Sequence, residues 1–283
     1  MYAGTTDLPA LLAPTGLNVY GVADPAAWDA LSPPARQSAA LLPGTRAILV
    51  FGSGGPTLWR QFVADLERHP AHLTHEADPL DAYVRRVVGV ANAALDTEEG
   101  PPVARRWFFA APDEPTPLDF RLLAHLAGLG GRSRLGLLLH PRYGTWLGLR
   151  AACYTTAAVP HDAPDEADPC AGCAAPCVSA CPGSAFPGGT WSVERCSAFH
   201  ATSPRCNDAC ASRLACPAGI EERYDDAAIQ YHYNREAGRA RLRAHLGIPA
   251  SDDRHAGIGP HWGDWKERVD VAGGLDAPSK PGS

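Results

Sequence analysis

The chain has 283 residues, with 25 Lys and Arg against 31 Asp and Glu and a net charge of -6. That balance argues against a nucleic-acid surface, which needs a clustered basic excess. Hydrophobic residues make up 45%, enough for the core of one large domain or two modest ones, and no apolar run is long enough to span a membrane.

The N-terminus lacks a positive region ahead of an apolar one, so no secretory signal is expected and the reducing cytoplasm is the expected compartment. Residues 6–14 read as a short helix and LNVYGVA (17–23) as a strand. RAILVFGSG (46–54) is an apolar run ending in glycines, a strand and turn. GSGG at 52–55 lacks the spacing of a phosphate-binding loop. Residues 57–69 and 78–95 have helical apolar spacing, and Asp78 is placed to cap the second. RRWFFAA (105–111) reads as a strand and 117–130 as a helix stopped by glycine. RLGLLLH (134–140) and LGLRAACYTT (147–156) read as two further strands. Residues 221–246 read as one long helix. The Gly/Pro/Ser-rich tail, 270–283, is expected to be disordered.

Between these elements, from Cys170 to Cys216, lie eight of the nine cysteines. The segment has little periodicity and cannot bury much apolar surface, so bound metal is expected to hold it together. In a reducing compartment such a cluster is more often metal-binding than disulfide-bonded. The first group is Cys170-x2-Cys173-x3-Cys177-x3-Cys181-Pro; the second is Cys196, then Cys206-x3-Cys210-x5-Cys216-Pro. A bacterial ferredoxin run is C-x2-C-x2-C-x3-C-P, and its fourth cysteine ligates the other cluster. The same crossing here gives one set of Cys170, Cys173, Cys177 and Cys216, and another of Cys181, Cys196, Cys206 and Cys210. Two 4Fe-4S clusters are favoured over two zinc sites, because zinc ribbons show separated knuckles rather than one run ending in Cys-Pro. Cys153, in an apolar strand, reads as a buried free thiol.

Two resemblances extend this reading. AGLGGRSRLGLLLHPRYGTWLGLRA, with the cysteine run and ERCSAFHAT after it, resembles epoxyqueuosine reductase, a cobalamin enzyme with two 4Fe-4S clusters. GLNVYGV, LPGTRAILVFGSGGPTLWRQF, DPLDAYV, AHLAG, HPRYGTWLGLRA and ERYDDAAIQYHY resemble cblC-type cobalamin-processing proteins. The resemblances imply an α+β, nitroreductase-like cobalamin-binding domain (1–160 with 221–265) carrying a ferredoxin-like insert (165–220). They imply cobalamin contacts at His125, Gly136, Trp146 and Tyr224, thiol binding at Arg150 and Arg239, and a catalytic acid at Glu114 or its neighbour Asp113. Ser133, Arg134, Leu135 and Gly136 stand where epoxyqueuosine reductases read Gly-Lys-Asn-Thr, which counts against a tRNA role.

The implied activity is that of an oxidoreductase that binds a base-off corrinoid and removes its upper ligand by decyanation or dealkylation. Its electrons would come from a flavodoxin, ferredoxin or reductase. The alternatives are an epoxyqueuosine-reductase-like enzyme and an iron–sulfur electron-transfer protein without corrin. The sequence leaves the upper ligand and oligomeric state open.

Overall fold

The computed structural model describes residues 8–95, 102–164 and 166–256. Helix α1 (Leu8–Leu12) precedes strand β1 (Val19–Ala23), and helices α2 (Pro25–Leu31) and α3 (Ser38–Leu41) lead to β2 (Ala47–Gly54). Helices α4 (Thr57–Arg68), α5 (Ala71–His75) and α6 (Pro79–Leu95) follow, then β3 (Arg105–Phe109) and α7 (Phe120–Leu126). A small ribbon of β4 (Gly131–Arg132) and β5 (Leu138–Leu139) comes before β6 (Leu147–Thr155). The Cys-rich stretch contains α8 (Pro176–Ser179), α9 (Val193–His200) and α10 (Ala211–Ala215). Helices α11 (Asp226–Tyr233) and α12 (Arg235–Leu246) follow it.

The main sheet has the order β1-β2-β6-β3, with every neighbouring pair antiparallel. Its two faces are covered by different helices. Leu49, Phe51, Ala151 and Cys153 pack with apolar residues of α1, α4, α6, α11 and α12. Ile48, Val50, Ala152 and Tyr154 pack with Trp28 of α2, Leu41 of α3 and Leu123 of α7. A strand buried on both faces needs apolar residues at every position, which is why β2 reads as an unbroken run. The expected mixed α and β architecture is therefore present.

Local signals account for the element ends. The Asp81 N–H donates to Asp78 Oδ1 at 3.3 Å, the cap expected for α6. Asp24 caps α2 by accepting from the Ala26 N–H at 2.9 Å, and Pro25 opens the helix. This Asp-Pro signal was in the sequence, yet α2, α3 and α5 fall where no helix is expected from apolar spacing. The strand expected over 134–140 shrinks to Leu138–Leu139. Gly136, at φ +70°, turns the chain, and its N–H donates to the Ser133 carbonyl at 3.0 Å. The single helix expected over 221–246 is two helices broken at Asn234. That residue leaves helical geometry (φ -130°, ψ 87°), and its side chain accepts from the Ala237 N–H to start α12. The tail at 270–283 and the end of the 221–265 segment lie outside the described residues.

One irregularity in β6 sets the direction of a half-buried cation. Phe51 pairs with Ala151, but the next residue, Gly52, pairs with Leu149. Arg150 is thus the extra residue of a β-bulge. Leu149 packs on the α7 side and Ala151 on the α6 side, although regular alternation would put them on one face. The charge of Arg150 acts on Asp81 of α6 and His232 of α11, so its side chain is turned to that side.

Arg239, expected to bind a thiol ligand, is a structural staple instead. Nε and Nη2 hold the two oxygens of Asp253 at 3.2 and 2.5 Å. The remaining donors meet the carbonyls of Leu73, Glu76 and Ala77. All five guanidinium N–H groups are engaged, leaving none for a ligand. Burial alone would raise the Asp253 pKa, but hydrogen bonds from Arg239, the His255 N–H and Arg243 hold it below the usual range.

Replacing Arg239 with Ala leaves the buried Asp253 carboxylate to Arg243 and the His255 N–H and takes the donor from the Leu73, Glu76 and Ala77 carbonyls, so urea unfolding is expected to show a loss of about 3 kcal/mol. Because the folded-state pKa is depressed, the wild-type contribution is complete above about pH 4 and disappears as pH falls further. An Arg239→Ala protein that unfolds at the wild-type urea midpoint would contradict this assignment.

Candidate metal centres and the adjoining cavity

The eight thiols of the Cys-rich stretch gather into two groups of four. Cys170, Cys173, Cys177 and Cys216 line a cavity of about 260 Å³ beside the β4–β5 ribbon. Cys181, Cys196, Cys206 and Cys210 lie in the wall of a larger cavity of about 940 Å³. The electrostatics divide along the same line. Burial raises the Cys177 thiol first, and then Cys216, Cys170 and Cys173 raise it further. Burial likewise raises Cys196, with Cys210, Cys181 and Cys206 adding to it. Cys206 and Cys216 are likewise raised by burial first and then by members of their own sets.

The local chain turns donors toward the sulfurs. The N–H groups of Arg134, Ala175 and Ala185 approach the Sγ atoms of Cys170, Cys173 and Cys181 at 3.5, 3.4 and 3.4 Å. Backbone N–H groups of Ala211 and Ala218 bond Cys206 and Cys216. Such donors stabilise thiolate charge, and small residues leave the backbone free to approach. Leu135, Leu139 and Phe186 seal the inner side of Cys177 and Cys216. Among the described residues, no three His, Cys, Asp or Glu side chains are set to hold a single metal ion. Four thiols spread around a cavity suit a multinuclear core better than a lone tetrahedral zinc, whose bonds to sulfur are about 2.3 Å. The donor set is compatible with iron–sulfur chemistry.

The larger cavity runs from the second thiol group to the end of β3 and the loop after it. Phe109, Phe120, Phe186, Trp191 and Tyr233 supply apolar wall, and Arg121, Arg132 and Arg213 supply cations. Glu114 lines it, with Oε2 accepting from the Phe109 N–H at 3.0 Å. Asp113 points away, exposed and paired with Arg85 at 2.6 Å. Gly136 lines the cavity, and any side chain there would strike the Trp191 ring.

The other residues singled out for corrin contact lie elsewhere. His125 ends α7, its Nδ1 3.1 Å from the Gly130 carbonyl, and lines neither cavity. Trp146 is only 1% exposed and meets Tyr224 edge-on at 5.4 Å. Trp146 Nε1, the Tyr224 hydroxyl and Arg150 Nε are buried without a hydrogen-bond partner. Arg213 connects the Trp146–Tyr224 pair to the cavity, lying 4.7 Å over the Trp146 ring and 5.3 Å over the Tyr224 ring.

Sequence reasoning missed Asp81, His232 and Arg213. Burial, then Asp78, pushes the Asp81 carboxyl up to about 7, against the pull of Arg150, Arg235 and Arg85. Burial, then Arg150, Arg213 and Arg235, holds the His232 pKa well below its usual value. These residues sit on helices in ordinary polar surroundings along the chain. Only the fold brings their charges together.

Two outcomes test the thiol grouping. In anaerobically loaded protein, Cys216→Ser is expected to halve iron content by emptying the set with Cys170, Cys173 and Cys177, while the other set keeps its spectrum. Loss of the signal belonging to Cys206 and Cys210 would instead show local pairing. Cys153, whose thiol burial pushes up to about 12, is expected to resist iodoacetamide in the folded apo protein and react after unfolding, as read by peptide mass.

No family profile matches this sequence, and no curated protein matches it. Solved structures do match. A selenomethionine-labelled epoxyqueuosine reductase aligns with a TM-score of 0.54 at 15% identity, over 80% of this chain and 68% of that one. Epoxyqueuosine reductase from Bacillus subtilis gives 0.52 at 17% identity, covering 78% and 66%. The B12-trafficking protein CblC of C. elegans gives 0.55 at 13% identity, covering 86% and 96%. The chain thus spans about two thirds of the epoxyqueuosine reductases and nearly all of CblC. Both kinds of protein that the sequence resembles are therefore among its structural neighbours, and the chain shares their fold.

Proposed function

We propose that the chain is a cobalamin-processing reductase. In this reading the residues lining the 940 Å³ cavity would hold a base-off corrinoid, and the two thiol sets would hold 4Fe-4S clusters able to supply it with electrons. The observation that carries it is the second thiol set forming part of the wall of that cavity. Residues 165–220 are the ferredoxin-like insert, and 1–160 with 221–265 form the corrinoid-binding unit. The neighbours' fold supports the reading, and the donor chemistry of the eight thiols supports the metal.

The bound groups would supply one-electron transfer and a cobalt centre whose upper ligand leaves on reduction. The chain's own residues do the rest. Cys173 is exposed, so the first set offers an edge to an external donor such as a flavodoxin, ferredoxin or reductase. The aromatic wall of the cavity excludes water, which strengthens the action of nearby charges. Glu114 presents a carboxyl group to the cavity for holding or moving a proton. Among the described residues no helix is long and apolar enough to cross a membrane.

Glu114 also favours a second reading, an epoxyqueuosine-reductase-like enzyme, because it stands where that family places its acid. Binding of a tRNA stem-loop would support this reading; its absence together with loss of the corrin's upper ligand would favour processing.

The test begins with anaerobic reconstitution. About eight irons with matching acid-labile sulfide are expected, and added cobalamin should change the corrin absorbance to that of the base-off form. Reduced, loaded protein should convert cyanocobalamin, whereas cluster-free protein should bind it without conversion. Glu114→Gln is expected to slow conversion at least tenfold with binding intact, if proton supply limits the rate. Zinc without labile sulfide, or an unchanged corrin spectrum, would refute the proposal.

A further inference from the structure

The last two cysteines of the second motif, Cys210 and Cys216, have five residues between them, against three in the bacterial ferredoxin run. The longer interval folds into α10, with Cys210 as its N-cap residue. From this helix Arg213 reaches inward. It lines the large cavity together with Cys181, Cys196, Cys206 and Cys210. Its Nη2 donates to the Thr145 carbonyl at 2.6 Å. Its guanidinium carbon lies 4.7 Å from the Trp146 ring and 5.3 Å from the Tyr224 ring. Its Nε is buried without a partner.

A buried cation is costly unless negative charge lies near it. Burial works against the charge of Arg213, and the groups that favour it are Tyr233, Tyr224 and Cys210, with no carboxylate among them. Burial pushes the Tyr233 hydroxyl above its ordinary range, so it supplies no negative charge. The remaining source of lasting negative charge is the thiol set to which Cys210 belongs. Among the described residues, the cation in the first set's cavity wall is Arg134, which is exposed and screened by water.

We propose that Arg213 is the counter-cation of the second thiol set, placed there by the lengthened Cys210–Cys216 interval, and that it favours the reduced state of the group held by that set. The inference rests on the iron–sulfur reading above. Reduction adds one electron to that group and neither forms nor breaks a bond with Arg213. The added negative charge is stabilised by the fixed positive one in a poorly screened interior, and the potentials of such groups depend on net charge and hydrogen bonding. With a half-buried cation at the inner set and an exposed one at the outer, electrons entering near Cys173 would run downhill toward the cavity.

The experiment compares wild type with Arg213→Gln and Arg213→Lys after anaerobic reconstitution. Iron and sulfide are measured first. Dithionite, as one-electron source, then titrates both groups against mediators, followed by electron paramagnetic resonance. At fixed potential, Arg213→Gln is expected to lower the reduced-to-oxidised ratio of the second group about tenfold, equal to 59 mV for a one-electron couple. Arg213→Lys should keep most of the wild-type ratio, and the first group should not change in either. If Arg213→Gln does not fold, Arg213→Met keeps the stem against Trp146 and is read by the same criteria. Full iron with an unmoved second potential would overturn the assignment of Arg213 alone. Equal shifts of both groups would overturn it too. Wild-type protein that takes up neither iron nor sulfide would overturn this inference and the proposed function together.

Discussion

Four thiols turned toward one cavity repel one another as they ionise, and the Cys-rich segment repeats that conflict twice. Its short helices bury little apolar surface: α8, α9 and α10 together offer few residues to a core. The thiols themselves, Cys177 and Cys216, are part of what seals Leu135, Leu139 and Phe186. Neutralising the sulfur charge is therefore the condition on which the segment's packing rests. The same condition governs the cavity, because one thiol set is also its wall. Thiol charge, segment packing and cavity wall share a single electrostatic balance.

Much of the framework was legible in the chain. β2 is a continuous apolar run because helices cover both faces, and α6 starts at Asp78 because its carboxylate accepts from the Asp81 N–H. Cys216 lines the same cavity as distant Cys170, the grouping that the crossed spacing rule leads one to expect. Other features had no local mark. Asn234 breaks a helical pattern that periodicity alone carries through. Arg239 carries the same charge as Arg150, yet a carboxylate fourteen residues later claims it. Nothing near either arginine in sequence distinguishes a staple from a site residue.

The bulge in β6 shows how a small irregularity positions chemistry. With strict alternation Arg150 would project to the α7 layer, away from Asp81 and His232. The extra residue reverses the strand's phase, so Arg150 and Ala151 share a side while Tyr154 still reaches the opposite layer. Both hydrophobic layers keep their contacts. A cation enters the interior beside a carboxyl held near 7 and a histidine kept neutral by burial and by the surrounding arginines.

The two thiol sets are nested rather than side by side. Cys170 and Cys216 bracket the outer set, and Cys181 through Cys210 lie wholly between them. Closing the outer set makes a hoop, and the inner set closes a smaller hoop inside it. Opening the inner hoop leaves the outer one tied at both ends. Opening the outer hoop releases both ends of the chain that carries the inner, which must then hold its loop with less help. Loop entropy grows only slowly, about 0.6 kcal/mol for each doubling of length, so the inner hoop survives but breathes more. Topology alone thus gives the segment a preferred order of wear: the outer set, open to solvent at Cys173, is the one whose loss would loosen everything it encloses.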